Sequence, residues 1–380
     1  MQKFWVWLAT LEGITLRQKH KLLDAFSTPE EIYNLSDKEI CGRLSKEPTD
    51  FSRDLTAAEK ILRACKLKGV DILPIGHKQY PPRLKEIGDP PVILYYKGIL
   101  PDFEASPMLA MVGTRKATTY GKNSAEQLAG EITACGGTVV SGGAAGIDAH
   151  ALQGALDAGG APIAVLGCGV DIAYPPTNRR LFSQIVQKGC LISEYAPGTR
   201  PKPWQFPARN RIISGISNGV VVIEAPEKSG ALITAKLALD YGRDVYVVPG
   251  NIDVLTCMGS NRLLQDGAGP VIEGWDAVSP YQNSYPNVAQ NKKNIPEKKI
   301  PDKTVIDNLP SKPYHSLNDG ACALTPEECQ LLNCLSREPK SVDEVVAQVD
   351  IPPTKALSIL TNLALRGIVI NHSGRRVSVK

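Results

Sequence analysis

The stretch Ser141-Gly142-Gly143-Ala144-Ala145-Gly146-Ile147-Asp148-Ala149-His150 joins an apolar run to a helical pattern. The run Thr138-Val139-Val140 predicts the end of a buried strand, and the apolar positions Ala149-Leu152-Ala155-Leu156 recur at helical spacing behind the glycines. Glycines permit a sharp turn and the close approach of a ligand, and the free N–H groups of a helix start attract anions. From this stretch alone, a phosphate site and a plain tight turn are equally consistent interpretations.

The surrounding residues 106–280 alternate apolar runs with helical patterns. The apolar runs are continuous rather than alternating, which indicates a parallel sheet covered on both faces. The sequence therefore predicts an α/β fold with an extended Rossmann-like doubly wound parallel sheet, whose ligands bind at the carboxyl ends of the strands. The predicted strands are residues 109–112, 138–141, 163–166, 190–193, 220–223 and 245–248. The predicted helices are residues 124–135, 149–156, 181–186, 212–216 and 232–241.

Two smaller segments precede the sheet. Residues 1–70 predict a small helical domain, because short apolar periodic segments are separated by Gly13 and by Ser27-Thr28-Pro29. The piece Leu11-Glu12-Gly13-Ile14-Thr15 resembles a helix-hairpin-helix that contacts DNA phosphates, and a bundle for protein interaction fits it equally well. Residues 71–280 form the predicted Rossmann-like domain, which begins with an extended connector at 71–105 that carries strand-like pieces at 72–75 and 92–96.

The C-terminal part of the chain changes character twice. Residues 281–320 are rich in Pro and Lys and predict a disordered linker. Residues 321–380 predict three capped helices and a hairpin about Ser373-Gly374, which together make a winged helix. Its third helix carries only Lys355 and Arg366 as cations, so contact with protein and contact with DNA both remain open.

Composition limits the class of protein. The 380 residues carry a net charge of +4, which permits an acidic partner without requiring one. Nine cysteines without a C-x-x-C pair argue for a reducing compartment and against disulfides and zinc. No run has the length of a signal peptide or of a membrane span. We expect a cytoplasmic protein without metal or cofactor.

The turns that follow the predicted strands favour anions. They combine glycine or hydroxyl residues with arginines, and they share one edge because parallel strands end side by side. The turns contain Gly113-Thr114-Arg115, Ser141-Gly142-Gly143, Asn178-Arg179-Arg180, Phe206-Pro207-Ala208-Arg209-Asn210-Arg211, which ends a predicted loop, and Ser229-Gly230. This edge therefore predicts a polyanion site with more capacity than one dinucleotide requires.

Three enzyme classes fit the sequence poorly. A dinucleotide site needs G-x-G-x-x-G after the first strand, and a P-loop ATPase needs G-x-x-x-x-G-K-[ST], neither of which stands at these turns. Ser141, Asp148 and His150 suggest a hydrolytic triad, but Asp148 and His150 lie two residues apart at a helix start and so point to different sides. We therefore predict no catalytic residues.

These motifs together resemble the DNA-processing protein A (DprA/Smf) family of bacteria. The resemblance covers roughly residues 70–275, and the flanking helical segment and winged helix fit the arrangement of many members. The motifs that carry it are Val112-Gly113-Thr114-Arg115, Ser141-Gly142-Gly143-Ala144 with Gly146-Ile147-Asp148 and His150, Tyr174-Pro175, Ser193-Glu194, Arg209-Asn210-Arg211, Ser229-Gly230-Ala231-Leu232-Ile233-Thr234 and Pro249-Gly250-Asn251. The resemblance implies a homodimer, formed through the Rossmann-like domain, that binds single-stranded DNA, protects it and helps load RecA during natural transformation.

The resemblance also implies the residues of the DNA site. Arginine offers a planar charged fork to phosphate, and backbone N–H groups add contacts that ignore base identity. Arg180 is preferred over Arg179. Of Arg209 and Arg211, one is expected to contact phosphate and the other to pair with an acid such as Asp148 or Glu224. The implied residues are Gly113, Thr114, Arg115, Ser141, Gly142, Gly143, Arg179, Arg180, Arg209, Arg211, Ser229 and Gly230.

Base stacking and two other functions remain open at this point. Phe206 and Tyr174 are candidates for stacking on bases, although core packing is the favoured role for each. The fold also resembles nucleotide phosphoribohydrolases, whose Pro-Gly-Gly-x-Gly-Thr motif is absent here. A regulator that binds duplex promoters through the winged helix is the third hypothesis.

Overall fold

The structure is a computed structural model, and its contacts divide the chain into the units Met1–Pro296 and Glu297–Lys380. Each unit is considered by itself. None of the helices in the described ranges is long and apolar enough to span a bilayer. The described residues are 1–47, 49–291, 324–336, 339–372 and 376–379.

A mixed sheet forms the centre of the first unit. Its order is β1-β2-β6-β5-β4-β3-β7-β8-β9. Strands β3 to β9 pair in parallel, whereas β2 is antiparallel to both β1 and β6. The strands are β1 (Asp71–Pro74), β2 (Ile93–Gly98), β3 (Met108–Val112), β4 (Thr138–Ser141), β5 (Ile163–Val165), β6 (Cys190–Ser193), β7 (Gly219–Val222), β8 (Asp244–Val247) and β9 (Gly269–Pro270).

Helices cover both faces of the sheet, and this confirms the predicted Rossmann-like fold class. Successive residues of β3 point to opposite faces, so Leu109 joins one core cluster and Ala110 the other. The first face packs against α7 (Thr119–Ala134), α8 (Ile147–Asp157) and α13 (Gly274–Val278), and the second against α6 (Pro82–Lys85), α10 (Gln205–Ile216) and α11 (Gly230–Asp240). Helix α9 (Arg179–Lys188) lies beside β6 and α8, and α12 (Met258–Gln265) beside β8.

The N-terminal helices share a hydrophobic core with one end of the sheet. Leu8 and Leu22 belong to the same buried cluster as Tyr95 of β2 and Leu191 of β6. Hydroxyl N-caps start three of these helices, through Thr15, Thr28 and Ser36. The helices are α1 (Gln2–Thr10), α2 (Leu16–Ala25), α3 (Pro29–Asn34), α4 (Asp37–Leu44) and α5 (Thr56–Lys68).

Two local predictions differ from the structure. The strand-like pieces of the connector expected at 71–105 form β1 and β2, which join the sheet by antiparallel pairing rather than leading up to it. Residues 206–211, expected to end a loop, lie within helix α10, which begins at Gln205. Pro207 is tolerated there because the first turn of a helix has no intrahelical partner for its N–H groups.

The predicted linker begins with ordered residues. Helix α14 (Pro286–Asn291) starts within the segment assigned to the linker, and Tyr285 and Val288 are buried in the cluster that covers β3 and β7. Apolar burial therefore continues past residue 281. The rest of the predicted linker lies outside the described residues.

The second unit is a winged helix with its own core. Leu331, Val345, Leu360 and Val377 are buried together. A capping box between Thr325 and Glu328 starts the first helix, as the sequence predicts. The predicted turn at Ser373-Gly374 lies outside the described residues. The elements are α15 (Pro326–Cys334), β10 (Lys340–Ser341), α16 (Val342–Ala347), α17 (Pro353–Leu365), β11 (Val369–His372) and β12 (Arg376–Val379), with the strands in the order β10-β12-β11.

Candidate nucleic-acid interface

The loops that follow the parallel strands form one rim along the carboxyl edge of the sheet. Strand order places the loops after β6, β5, β4, β3, β7 and β8 next to one another in that sequence. From β3 the chain adds β4, β5 and β6 on one side, and it then returns to add β7 and β8 on the other side of β3. Such a switch point in the strand order opens a crevice between β3 and β7 in a doubly wound sheet. The groups at this crevice and at the glycine turn therefore decide what the rim can bind.

Contacts between backbones hold the glycine turn against its neighbours. Gly146 has φ of +80°, and a Cβ there would overlap the carbonyl oxygen of Thr114. The N–H of Ile147 donates to that same oxygen at 3.2 Å. From the other side, Asn178 Nδ2 donates to the carbonyl oxygens of Gly143 at 3.0 Å and Ala144 at 3.2 Å. The structure thus brings the loops after β3, β4 and β5 together.

The anion position of the glycine turn is occupied by a side chain of the protein. Asp148, in the first turn of α8, is 7% exposed, and its Oδ2 accepts from the N–H of Ala144 at 3.3 Å. Burial raises the pKa of this carboxyl, while Arg209 and the backbone N–H groups of Ala144 and Gly142 oppose the rise. A phosphate that entered the turn would have to displace this carboxylate.

Arg209 lies beneath the same turn and is 4% exposed. Its Nη1 donates to the carbonyl oxygen of Gly142 at 2.6 Å and also to that of Val165. Burial lowers the pKa of Arg209 to about 10, and the neighbouring Asp148 opposes that shift. The guanidinium therefore holds two strand ends together and does not extend to the surface.

Arg211 is also engaged within the protein. Its Nη2 donates to Glu194 Oε1 at 2.7 Å, and its Nε lies 3.1 Å from Asp89 Oδ2. The expected pairing with Asp148 occurs at Arg209, whereas Arg211 has Glu194 and Asp89 as its acidic partners. The expectation that Arg209 or Arg211 contacts phosphate does not match this geometry, because helix α10 turns both guanidinium groups inward.

A second carboxylate fills the crevice between β3 and β7. Glu224 is fully buried and accepts from Thr118 at the start of α7, at 2.9 Å from the N–H and at 2.5 Å from Oγ1. A Cβ on Gly121 would overlap this carboxylate. Glu224 therefore bonds the N-cap residue of α7, just as Asp148 bonds the glycine turn ahead of α8.

Three arginines of the rim loops are exposed, in contrast to these buried groups. Arg115 is exposed, and its Cζ lies 5.3 Å from the ring centroid of Phe206, whose ring is 5.4 Å from that of Tyr174. Arg179 and Arg180 begin α9 and are both exposed. Within the described ranges, none of these three arginines forms an ion pair. Their guanidinium groups can therefore meet a ligand without first breaking an ion pair.

The remaining expected site residues divide into supports and surface groups. Ser141 is fully buried and donates to the carbonyl oxygen of Met111 at 2.6 Å. Gly142 and Gly143 are also buried, and Gly113 packs against Ile147. These residues shape the turns. Thr114 is half-buried. Ser229 is the N-cap of α11, and its hydroxyl accepts from the N–H of Ala231 at 3.2 Å. Gly230, the next residue, is exposed.

The residues suggested as a triad do not assemble. His150 Nδ1 lies 2.6 Å from Glu126 Oε1, on the helical layer, while the hydroxyl of Ser141 is directed to a backbone carbonyl. No group of three metal-ligating side chains suited to a metal ion occurs among the residues that the structure describes.

Sequence reasoning missed Trp204, which is 61% exposed and starts α10. Its ring packs edge-on against Tyr195, with centroids 6.1 Å apart. The sequence does carry a signal for this residue. Trp204 directly follows the stretch Arg200-Pro201-Lys202-Pro203, where no apolar periodicity accounts for a tryptophan.

Comparison with known proteins gives a consistent result for both units. The family model of DNA recombination-mediator protein A matches residues 71–282, and that of the DprA winged helix domain matches residues 316–375. Protein Smf of Synechocystis is 33% identical over 393 residues, which cover 99% of this chain and 98% of that protein.

Two solved structures resemble the chain. DNA processing protein A (DprA) from Streptococcus pneumoniae has a TM-score of 0.63 at 34% identity, covering 73% of this chain and 98% of its own. DNA processing protein A from Helicobacter pylori, described for its single-stranded DNA binding mode, has a TM-score of 0.52 at 30% identity, covering 57% of this chain and 97% of its own.

Proposed function

The chain belongs to the DprA/Smf family of DNA-processing proteins, and on that premise we propose that it is a single-stranded DNA-binding recombination mediator. In this role it protects incoming DNA and helps load RecA during natural transformation. The solved structure of the Helicobacter pylori relative concerns its single-stranded DNA binding mode, and this supports single-stranded DNA as the ligand.

The observation that carries the proposal is the contrast between buried carboxylates and exposed arginines on one rim. Asp148 already accepts from the glycine turn ahead of α8 and Glu224 from the N-cap residue of α7, whereas Arg115, Arg179 and Arg180 are exposed. Exposed guanidinium groups suit a phosphate chain that passes over the surface, because each bonds a phosphate without reading the base. This arrangement favours a polymer over a mononucleotide.

We assign the direct phosphate contacts to Arg115, Arg179 and Arg180, with Arg180 the more important of the pair on α9. Ser229 and Gly230 extend the surface across the switch point, where the Gly230 carbonyl already accepts from Asn210 Nδ2 at 3.3 Å. The positioning residues, which fix the turns beneath the strand, are Gly113, Thr114, Ser141, Gly142, Gly143, Arg209 and Arg211.

A homodimer formed through the Rossmann-like domain is part of the proposal. Ile252, Leu255 and Ile272 are 90%, 74% and 70% exposed, and they follow the neighbouring strands β8 and β9. Such a group of apolar side chains is typical of a protein contact surface.

The cysteines of the described ranges are free thiols, which suits the reducing cytoplasm.

The test is fluorescence anisotropy with single-stranded oligonucleotides across a range of salt concentrations. We expect Arg115→Ala to weaken binding roughly tenfold, since it removes a charged contact. The slope of log affinity against log salt concentration should also become shallower by about 0.7, the value for one phosphate on a single strand. Arg63→Ala is the matched control, because Arg63 is exposed on α5 and lies outside the loops that follow the parallel strands.

Two results would contradict the proposal. Equal affinity and equal salt slope in Arg115→Ala and Arg63→Ala would remove Arg115 from the site. Absence of single-strand binding by the unaltered protein, together with release of base from a nucleoside monophosphate, would instead support a phosphoribohydrolase.

A further inference from the structure

Trp204 is a large aromatic side chain that the fold leaves mostly in solvent. It is 61% exposed, whereas its packing partner Tyr195 is half-buried. The two rings meet at 78°, with centroids 6.1 Å apart, so Tyr195 supports one side of the indole. The core of the protein gains little from such a tryptophan, because most of its apolar surface remains in water.

The loop that carries Trp204 is fixed before any ligand arrives. The N–H of Gly169 donates to the carbonyl oxygen of Thr199 at 3.0 Å, and the N–H of Gly198 donates to Asp171 Oδ1 at 2.8 Å. These bonds tie the loop after β6 to the loop after β5. A ring held in this way loses little conformational entropy on binding.

Trp204 lies farther along the rim than the arginines. Its partner Tyr195 follows β6, three strands away from β3 and the Arg115 turn, a distance of about 14 Å at the usual strand spacing. Between them, Phe206 contacts both Arg115 and Tyr174. Aromatic rings and exposed cations therefore continue from the switch point to the β6 end of the rim.

Charge near Trp204 suits the same kind of ligand. Arg200 and Lys202 precede it in the loop and are both exposed. The N–H of Lys202 donates to Gln205 Oε1 at 2.5 Å, which fixes the backbone between the cation and the helix start. An exposed aromatic ring beside flexible cations is the combination that holds unpaired bases and their phosphates.

We propose that Trp204 stacks on an unpaired nucleobase and extends the single-stranded DNA path from Arg115 to the β6 end of the rim. The inference rests on the proposed function, and it adds a base contact to a surface otherwise argued from phosphate contacts. Stacking accepts every base, so it does not introduce sequence preference.

The experiment compares Trp204→Ala and Trp204→Phe with the unaltered full-length protein. The ligands are thymidine oligonucleotides of increasing length and an abasic strand that has the same sugar-phosphate backbone. Leu239→Ala is the matched control, because Leu239 is 59% exposed and lies at the end of α11 away from the rim. Thermal unfolding of each variant establishes that the fold is retained.

We expect Trp204→Ala to weaken binding of long thymidine strands by roughly 5- to 150-fold, the range for one base–aromatic stack. Binding of the shortest strands and of the abasic strand should change less than twofold, and the salt slope should stay the same. Trp204→Phe should keep most of the affinity and lose the quenching of tryptophan fluorescence that thymidine produces in the unaltered protein.

The outcomes separate this inference from the function on which it rests. If Arg115→Ala weakens binding and Trp204→Ala behaves like Leu239→Ala, the stacking role is overturned and the proposed function stands. Equal losses with abasic and thymidine strands would also overturn stacking. Absence of single-strand binding by the unaltered protein would overturn both.

Discussion

Individual charged residues divide the rim into a buried layer and an exposed layer. Arg209 and Asp148 are 4% and 7% exposed, and both lie against Gly142, where a Cβ would overlap both side chains. Burying a lone charge costs several kcal/mol, so each of these groups depends on the other and on backbone hydrogen bonds. Exposed Arg115 has no such dependence, and its charge stays available for a ligand.

Lys19 gives a residue-scale prediction about stability and pH. It is 7% exposed, its Nζ donates to the carbonyl oxygen of Ala9 at 2.6 Å, and burial lowers its pKa from 10.5 to about 8. Below pH 8 the Lys19 side chain is charged in both the folded and the unfolded protein. Only the folded protein has the free-energy cost of removing this charge from water. Between about pH 8 and 10.5 the unfolded state binds the additional proton, so the free energy of unfolding rises with pH through this interval.

We therefore expect Lys19→Met to be more stable than the unaltered protein at pH 7. This advantage should shrink by about 3 kcal/mol across the full interval as Lys19 releases its proton in the folded state. Denaturant unfolding from pH 7 to 10 measures the difference between the two proteins. Lys21→Met, at an exposed position of the same helix, should show no such trend. A difference that stays constant with pH would contradict the assignment.

The sequence indicates which arginines lie in the rim loops, but it does not indicate for each of them whether the side chain is exposed or buried. Arg115 follows a strand directly, and its exposed position agrees with what a short turn after a strand suggests. Arg209 and Arg211 follow a longer loop, and their orientation depends on where helix α10 starts. Their partners, Gly142, Glu194 and Asp89, come from distant segments. Such pairings arise from tertiary packing, which local patterns do not encode.

At the scale of elements, helices α7 and α8 cross so closely that the crossing requires glycine. A Cβ on Gly154 of α8 would overlap the carbonyl oxygen of Glu126 in α7. Gly130 of α7 faces the same crossing, but a Cβ there would have its nearest neighbours at 3.7 and 3.8 Å, which is ordinary van der Waals contact. The same substitution should therefore have opposite effects at the two positions.

We expect Gly154→Ala to destabilise the protein by about 1–3 kcal/mol or more, because the helices must move apart. Gly130→Ala should stabilise it by about 0.5–1 kcal/mol, because alanine restricts the unfolded chain in a helix interior. Urea unfolding of both variants checks the two signs. Equal effects at both positions would mean that α7 and α8 are farther apart at Gly154 than in the structure.

Element boundaries follow from sequence where one principle dominates. The apolar runs at 138–141 and 190–193 are strands with the predicted bounds, because buried parallel strands need continuous apolar residues. The start of α10 was missed since Pro207 suggests a helix break, although proline is tolerated in a first turn. The strand-like piece at 72–75 forms β1, and its Pro74 is tolerated because β1 is an edge strand and can accommodate a missing N–H.

At the scale of the whole molecule, the first unit is larger than its sheet. The N-terminal helices contribute Leu8, Leu22 and Ile32 to a cluster that also contains residues of β2, β6 and α9. Composition and periodicity predicted these helices as separate elements, but which surface they bury depends on shape complementarity between distant segments. The order of the rim loops, in contrast, follows from the topology of parallel sheets and could be anticipated.

The second unit leads to a prediction about the whole chain. Lys355 on its third helix lies 2.5 Å from Glu327, and Arg366 at the end of that helix lies 2.7 Å from Glu328, so both cations are paired with acids of α15. Met1–Pro296 forms its own contact unit and includes the entire rim. We therefore expect a chain that ends at Pro296 to bind single-stranded DNA within about twofold of the full-length protein and with the same salt slope, because the phosphate contacts are unchanged.

Anisotropy with single-stranded and duplex oligonucleotides, together with thermal unfolding of the shortened chain, tests this expectation. The full-length variant Lys355→Ala is the matched control and should leave both affinities unchanged. If the shortened chain folds and loses duplex binding that the full-length protein has, the winged helix contacts DNA despite its paired cations. Loss of single-strand affinity in the folded shortened chain would mean that the second unit completes the rim. Retention of both affinities would assign DNA binding to the first unit and leave the neutral third helix available for a protein partner.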